Sequence, residues 1–446
     1  MNITINGKAL AARDGATILE AAGENHIRIP NLCALSGVHA CGSCRVCVVE
    51  VDGMRNLQAS CVTRAREGMV VRTNSPKVRA ARKVLYELLM SDHPKDCLSC
   101  HRSGSCELQA LGEELGITDS RLSGEMSPQL EDISPSVTRD AAKCILCRRC
   151  VTVCGDVQKV GAISLQDRGF DTYVGPSLDT PLDGTACAMC GQCVSACPTG
   201  ALRETYALAP VWRAIQDPGK RVVVQVAPAV RAALGEEFGY PTGTPVTGKM
   251  AAALREIGFD DVFDTNFAAD LTIIEEGTEL LGRLEAALAG KEGSAVLPMI
   301  TSCSPGWIKH VEHAYPKELD HLSSCKSPHT MLGALAKSFY AEKIGVRPED
   351  MYVVSIMPCT AKKYEVQRPE MAVDGIRDVD AVLTTRELGK MIRQAGIDFH
   401  SLEDGAFDKP PGLSTGAAAT FRATGGLLAP PLPPVASFAV KTRLSP

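Results

Sequence analysis

Two cysteine runs restrict what the first half of this chain can become. Cys144, Cys147, Cys150 and Cys154 lie in C-x2-C-x2-C-x3-C spacing within KCILCRRCVTVCG. Cys187, Cys190, Cys193 and Cys197 repeat the spacing in ACAMCGQCVSACPTG and close on Cys197-Pro198. Thiols this close in sequence rarely bridge one another, but they suit a shared metal centre. The repeated run is the spacing of a core that holds two [4Fe–4S] clusters, with the fourth cysteine of each run serving the other cluster. One cluster then takes Cys144, Cys147, Cys150 and Cys197, and the other takes Cys187, Cys190, Cys193 and Cys154. The crossed ligation explains the repeat: two equivalent halves close on each other and hold the clusters at fixed separation. Such a pair passes single electrons onward.

The chain has 446 residues and nineteen cysteines, sixteen of them before residue 200. This length implies several domains. A disulfide framework belongs to small secreted domains, whereas the start, MNITINGKAL, has no secretory pattern. No apolar run reaches the roughly eighteen residues a membrane helix needs. Net charge is -5 with both signs interspersed, and aromatics are 4%, so neither nucleic acid nor a membrane surface is indicated as a partner. A cytoplasmic protein is expected.

Residues 1–78 form the first expected domain. Ile3 and Ile5 alternate with polar residues as in a half-buried strand, and ATILEAAGENH predicts a short helix. Cys33, Cys44, Cys47 and Cys61 follow in C-x10-C-x2-C-x13-C spacing, and four cysteines are the usual ligands of a [2Fe–2S] cluster. Cys41 is a fifth cysteine, read as a small buried residue or loop thiol. Residues 79–120 form the second domain, where SDHPKDCLSCHRSGSC gives His93, Cys97, Cys100 and Cys106. By donor type alone this set suits zinc or an iron–sulfur cluster. His101 is read as a surface residue.

Beyond residue 220 the cysteines thin out and strand and helix patterns alternate, which argues an α/β domain with a largely parallel sheet. RVVVQVAP, DDVFDT, SAVLPMITS and YVVSIMP predict strands. AVRAALGEEFG, TGKMAAALREIGF and ADLTIIEEGTELLGRLEAALAG predict helices. GTPVTGKM nearly fits a phosphate-binding loop, but Met250 stands where a Mg²⁺-binding hydroxyl belongs and no strand leads directly into it. It is read as the start of a helix at Thr247. No G-x-G-x-x-G occurs, so no NAD or ATP site is visible. TSCSPGW (301–307) and MPCTAKKYE (357–365) each follow an apolar stretch, where strand ends of an α/β sheet meet a ligand. Glu276 and Glu279 share a helix face, and carboxylates shielded from water can hand protons along.

These segments carry a resemblance. GSCRVCVVEVDG and the H-x3-C-x2-C-x5-C spacing resemble the large peripheral subunit of complex I and the long [FeFe]-hydrogenases. TSCSPGW, MPCTAKKYE, QVAPAVR, SSCKSPH, DGIRDVDAVLTTREL and TFRATGG resemble loops of the [FeFe]-hydrogenases, most like the catalytic subunit of multimeric NAD(P)-linked ones. The resemblance runs from residue 1 to about 427. It implies a multidomain α+β and α/β protein: a β-grasp [2Fe–2S] ferredoxin domain, a one-His/three-Cys [4Fe–4S] domain, a two-[4Fe–4S] ferredoxin domain at 135–208, and an iron-hydrogenase domain at 220–427. It implies a further [4Fe–4S] cubane joined to a two-iron subcluster with CO and cyanide ligands, which makes or splits H2. Cys359 matches a cubane ligand, and Lys362 matches the lysine that binds a cyanide. Ala227, Pro228, Met357 and Phe421 match pocket walls. Cys303 matches a proton-relay cysteine, with Glu276, Glu279 and Ser323 onward from it. Implied partners are a flavin/NAD(P)-binding subunit with a small [2Fe–2S] subunit, or ferredoxin, and the maturation proteins.

Two departures stand out. The family usually has adjacent cysteines in the first loop, and here the second place is Ser304. No cysteine follows Cys359, whereas the family's last two ligands lie later. Residues 428–446 are a proline-rich tail of the kind a frameshift through alanine codons would give, so the large domain is expected to be incomplete. The alternative function is an electron-transfer or sensory subunit without H2 turnover, followed by a subunit resembling those of complex I or formate dehydrogenase.

Overall fold

The computed structural model describes residues 1–126, 131–290, 296–409 and 414–415. Two compact units emerge. One comprises Met1–Cys187 with Gly191–Glu204; the other comprises Ala188–Cys190 and the chain from Thr205 onward.

The first unit opens with a five-stranded sheet of β1 (Asn2–Ile5), β2 (Lys8–Ala11), β3 (Val48–Val51), β4 (Gln58–Ala59) and β5 (Val70–Arg72), in the order β2-β1-β5-β3-β4. β1 and β5 are parallel; the other neighbours are antiparallel. Ile3 and Ile5 are buried, as their alternation predicts. Asn6 and Gly7 both have positive φ, the requirement of a two-residue hairpin turn. The helix Ile18–Glu24 begins in a capping box of Thr17 and Glu20 and buries Ile18, Ala21 and Ala22 on the sheet.

Further on, β6 (Glu131–Ile133), β7 (Val137–Asp140), β8 (Ser164–Gln166), β9 (Tyr173–Gly175) and β10 (Leu202–Glu204) build a sheet of order β10-β7-β6 and a β8–β9 hairpin. The sequence repeat becomes a backbone repeat. Leu146 and Arg148 in the first run, and Met189 and Gly191 in the second, all take left-handed φ. Each run then enters a short helix, Arg149–Thr152 or Gln192–Ala196. Loops of this kind turn backbone N–H groups toward an anionic centre.

The second unit is built on β11 (Arg221–Val226), β12 (Asp261–Asp264), β13 (Met351–Met357) and, after the hairpin of β14 (Ala372–Val373) and β15 (Ile376–Arg377), β16 (Ala381–Thr384). The order is β12-β11-β13-β16 and every pairing is parallel. β11 and β13 are buried almost throughout, which is why they read as continuous apolar runs. The chain goes from β11 to one neighbour and then crosses to the other. A topological switch therefore lies between the carboxyl ends of β11 and β13, where open α/β sheets bind ligands. Ala227-Pro228 and Pro358-Cys359 leave the sheet at that point.

Two sequence expectations change. SAVLPMITS forms no strand over its described residues 296–302. Its one ladder contact is a parallel bridge of Ile300 with Leu322, and Pro298, within the stretch, has no N–H to give a ladder. TSCSPGW is therefore fed by a loop rather than a strand. AVRAALGEEFG forms only one α-helical turn, Val230–Ala233, then a 3₁₀ stretch to Phe238, ended by Gly239 at positive φ. The helix at Thr247–Ile257 starts where expected. Among the described residues, no helix is long and apolar enough to cross a membrane.

Two glycines offer a test. A methyl group at Gly333, in the buried helix Pro328–Leu335, would run into the Asp378 carbonyl and Val379, whereas one at Gly282 in Asn266–Leu288 would meet open space. Gly333→Ala should destabilise by about 1–3 kcal/mol through overpacking, and Gly282→Ala should stabilise by up to about 1 kcal/mol. Denaturant melts of the two variants check both signs.

Candidate functional site

None of the nineteen cysteines is in a disulfide. In the first unit their thiols gather in sets. Cys33, Cys44, Cys47 and Cys61 are all at most 5% exposed. Cys47 Sγ is 3.4 Å from Cys61 Sγ, and the Cys33 thiol is within hydrogen-bonding reach of Cys44 and Cys61. Cys41 is half-buried, and its Sγ lies 3.3 Å from Ser43 Oγ. Four converging buried sulfurs that bond to little but one another fit a [2Fe–2S] rhomb.

His93, Cys97, Cys100 and Cys106 line a second cavity. His93 is buried and its Nδ1 has no hydrogen-bond partner. Burial pushes the imidazole toward its neutral, lone-pair form. Among the described residues no group of three or more His, Cys, Asp or Glu side chains is set to hold a single ion.

Cys144, Cys147, Cys150 and Cys197 line a third cavity. Burial and their mutual repulsion push Cys144 up to about 11 and Cys147 up to about 12, and Cys150 rises too. Such thiols ionise only when a metal supplies the balancing charge. Cys154, Cys187 and Cys193 border the same apolar core as Cys150 and Cys197. Cys190 lies on the short segment grouped with the second unit.

In the second unit, the helix Asn266–Leu288 leaves β12 and carries Glu276 and Glu279 toward the loop that holds Ser323. Glu276 is 2% exposed and its Oε1 has no partner. Burial raises its pKa against opposing bonds from the Ser302 backbone and Ser323. Ser323 Oγ donates to Glu279 Oε2 at 2.8 Å. Burial works against the Glu279 charge too, but hydrogen bonds from Ser323 and Arg283 prevail and lower its pKa. Arg283 holds Glu279 Oε1 at 2.6 Å and also donates to the Leu322 carbonyl. Two carboxylates on one helix face are thus driven apart, one toward the acid and one toward the anion, with a single hydroxyl between them. Such a separation is what a proton path requires of its donor and acceptor.

Cys303 sits beside this path. Its thiol is pushed up by burial, with the Lys362 charge pulling it down and that of Glu276 pushing it up. Lys362 Nζ donates to the Cys303 carbonyl at 2.9 Å and pairs with Glu365 Oε2 at 2.7 Å. His329 Nε2 meets the same oxygen at 2.8 Å, and its Nδ1 lies 3.1 Å from Ser355 Oγ on β13. Although burial opposes its charge, His329 and Lys362 hold Glu365 down at about 2. Ala227 and Met357 are buried at the strand ends, Pro228 is half-buried, and Cys359 follows β13 half-buried. Phe421 and the tail 428–446 lie outside the described residues.

The structure thus brings Glu276, Ser323 and Glu279 into contact, and sets Cys303 and Lys362 next to one another. Sequence reasoning missed Arg283, Glu365 and His329. The first two were legible as i,i+4 and i,i+3 partners of Glu279 and Lys362; His329 was not, because its contacts cross the fold. Cys325 points its Sγ at Glu279 Oε2, 3.7 Å away. Ser304 is exposed before the helix Pro305–Ala314.

Gathered cysteine thiols in one unit, joined to a parallel α/β domain in which Glu276, Ser323 and Glu279 meet, define an iron–sulfur redox protein. The comparisons give its family. Residues 1–76 match a 2Fe-2S iron-sulfur cluster binding domain, 82–121 an NADH-ubiquinone oxidoreductase-G iron-sulfur binding region, and 143–201 a 4Fe-4S dicluster domain. Residues 220–441 match the iron only hydrogenase large subunit, C-terminal domain. The chain is 54% identical over 434 residues to the NADP-reducing hydrogenase subunit HndD of Solidesulfovibrio fructosivorans, covering 96% of this chain and 74% of that one. It is 40% identical to iron hydrogenase 1 of Clostridium pasteurianum, covering 99% and 76%. A 218-residue stretch is 51% identical to the periplasmic [Fe] hydrogenase large subunit of Nitratidesulfovibrio vulgaris, covering 49% and 51%. The chain belongs to the iron-only, or [FeFe], hydrogenase family.

The raised pKa of Glu276 has a sign that can be checked. A carboxyl whose folded pKa is raised stabilises the fold most below its unfolded pKa, and that stability is lost as pH rises through the folded value. Glu276→Gln should therefore be more stable than the parent chain at pH 8 and lose this advantage by pH 4. Denaturant melts of the metal-free chain across that range measure it.

Proposed function

We propose that this chain interconverts H2 with protons and electrons at the switch point of its second unit, and exchanges the electrons with a partner through one [2Fe–2S] and three [4Fe–4S] clusters. In this reading Cys33, Cys44, Cys47 and Cys61 hold the [2Fe–2S] cluster, and His93, Cys97, Cys100 and Cys106 hold the first [4Fe–4S] cluster. The other two follow the crossed ligation of Cys144–Cys154 and Cys187–Cys197. The domains are 1–78, 79–120, 135–208 and 220–427.

The observation that carries the proposal is the buried chain Glu276–Ser323–Glu279–Arg283 beside Cys303, with Lys362 bonded to the Cys303 backbone. A cubane-linked two-iron centre with CO and cyanide ligands would supply the hydride chemistry there. The donor set fits it on the proton and cation side, and offers Cys359 as a thiol of the family's kind.

The residues have separable tasks. Lys362, fixed by Glu365 and the Cys303 carbonyl, presents a cation to an anionic ligand. His329 holds Glu365 from behind. The Cys303 thiol, kept protonated by burial, gives and retakes a proton. Glu276, with its raised pKa and unpartnered oxygen, exchanges that proton. The Ser323 hydroxyl carries only one hydrogen, so it can pass a proton toward Glu279 only by accepting one from Glu276. Arg283 steadies the Glu279 anion at the far end.

The fold of the first unit and the names of the relatives support an NAD(P)-linked assembly: a flavin/NAD(P)-binding subunit with a small [2Fe–2S] subunit, or ferredoxin, in the cytoplasm. Besides HndD, an NADPH-Fe(3+) oxidoreductase subunit alpha of Geobacter sulfurreducens is 36% identical over 203 residues. Ser304 favours the competing reading, a carrier or sensor without turnover. The intact acid–base chain argues against it, since such a subunit needs no proton path.

Glu276→Gln should lower H2 evolution from reduced methyl viologen by about 100-fold or more, the contribution of a positioned acid–base group. Glu276→Asp should retain a measurable part of it, and dithionite should reduce the relay clusters equally in all three proteins. Full activity in the Gln variant would remove the path from the mechanism.

A further inference from the structure

The loop that holds the surplus cysteine, Cys41, does more than connect ligands. Its turn is closed by two backbone bonds between Leu35 and His39, of 2.8 and 2.9 Å. From that turn the His39 ring reaches the first [4Fe–4S] run. His39 Nε2 lies 3.2 Å from the Cys147 carbonyl oxygen, and Nδ1 lies 2.7 Å from Thr152 Oγ1. A carbonyl only accepts, so Nε2 carries the proton. In the neutral ring Nδ1 then accepts from the Thr152 hydroxyl, which fixes tautomer and orientation together. Cys41 Sγ lies 3.5 Å from the same carbonyl oxygen. One loop therefore occupies both acceptor positions on the backbone of one prospective ligand. Beneath these bonds Cys33, Cys44 and Cys147 pack in a single buried cluster.

We infer that His39, oriented by Thr152 and assisted by Cys41, is the bonded joint through which one electron passes between the [2Fe–2S] site and the [4Fe–4S] site of Cys144, Cys147, Cys150 and Cys197. This rests on the cluster assignment proposed above. In the step one electron leaves the reduced [2Fe–2S] site and one enters the oxidised [4Fe–4S] site; no bond breaks and no proton moves. The route runs from Cys33 along the backbone to the Leu35–His39 hydrogen bonds, through the imidazole, and across its N–H to the Cys147 carbonyl. Every noncovalent link on it is a hydrogen bond. His39 touches neither cluster and acts as a positioning residue. Cys41 is thereby accounted for as a weak S–H donor at the joint rather than as a fifth ligand.

The test uses the full chain with its relay clusters. A photosensitiser serves as one-electron donor, and rapid-freeze electron paramagnetic resonance follows the [2Fe–2S] signal as it gives way to the [4Fe–4S] signal. His39→Phe should slow this equilibration by between about tenfold and a hundredfold, the range over which a lost positioning contact is felt. The line shape and potential of each cluster should stay as in the parent. His39→Gln, whose amide can reach the same carbonyl, should restore most of the rate. Thr152→Val, which removes only the orienting hydroxyl, should fall between, and it decides the matter if His39→Phe loses a cluster. Parental rates in both His39→Phe and Thr152→Val, with both signals present, would overturn the joint alone. A parent chain without a [2Fe–2S] signal would overturn the cluster assignment and the joint with it.

Discussion

The first unit depends on thiols in its interior. Its buried clusters are built partly from prospective ligands: Cys47 and Cys61 in the sheet core, Cys150 and Cys197 in the repeat core, and Cys33, Cys44 and Cys147 between them. A thiol in such a place resists ionisation, and several together resist it more. Iron reverses this balance, because a coordinated sulfur is deprotonated and its charge neutralised where it stands. The sheets and short helices of this unit are small, and the metal centres complete their cores. The left-handed residues of each C-x2-C loop follow from the same need, to surround a charged inorganic centre with inward-facing donors.

The second unit handles charge the other way. Its centre is a parallel sheet with an ordinary apolar core, and one group of its charges gathers toward the carboxyl ends of the strands. There Lys362, two carboxylates linked to histidine or arginine, and Glu276, one oxygen of which has no partner, are brought together. Glu365 and Glu279 are kept anionic by cations, while Glu276 is left without one.

Much of this was legible in the sequence where chemistry is local. The alternation of Ile3 and Ile5 marked a half-buried strand, and the unbroken RVVVQV marked a strand covered on both faces. The cysteine spacings marked their own loops, because ligands to one cluster must come from a tight turn. What failed was non-local. SAVLPMITS has strand composition, but its one ladder contact is a single bridge and Pro298 interrupts it. His329 looked like any helix residue until the fold set it against Glu365 and Ser355. Cys41 was read from the sequence as a fifth cysteine outside the ligand set; what the sequence could not show is that its Sγ lies 3.5 Å from the Cys147 carbonyl oxygen. Phe421 lies beyond the described residues.

The central claim is that the switch point of the second unit carries an H2-converting centre. An infrared spectrum of the anaerobically purified chain, co-produced with the family's maturation proteins, tests it most directly. The account predicts CO and cyanide stretching bands, with the cyanide bands shifted when Lys362→Met removes the ammonium. A spectrum without those bands, from protein that holds iron for the four relay clusters, would contradict it and leave an electron carrier in its place.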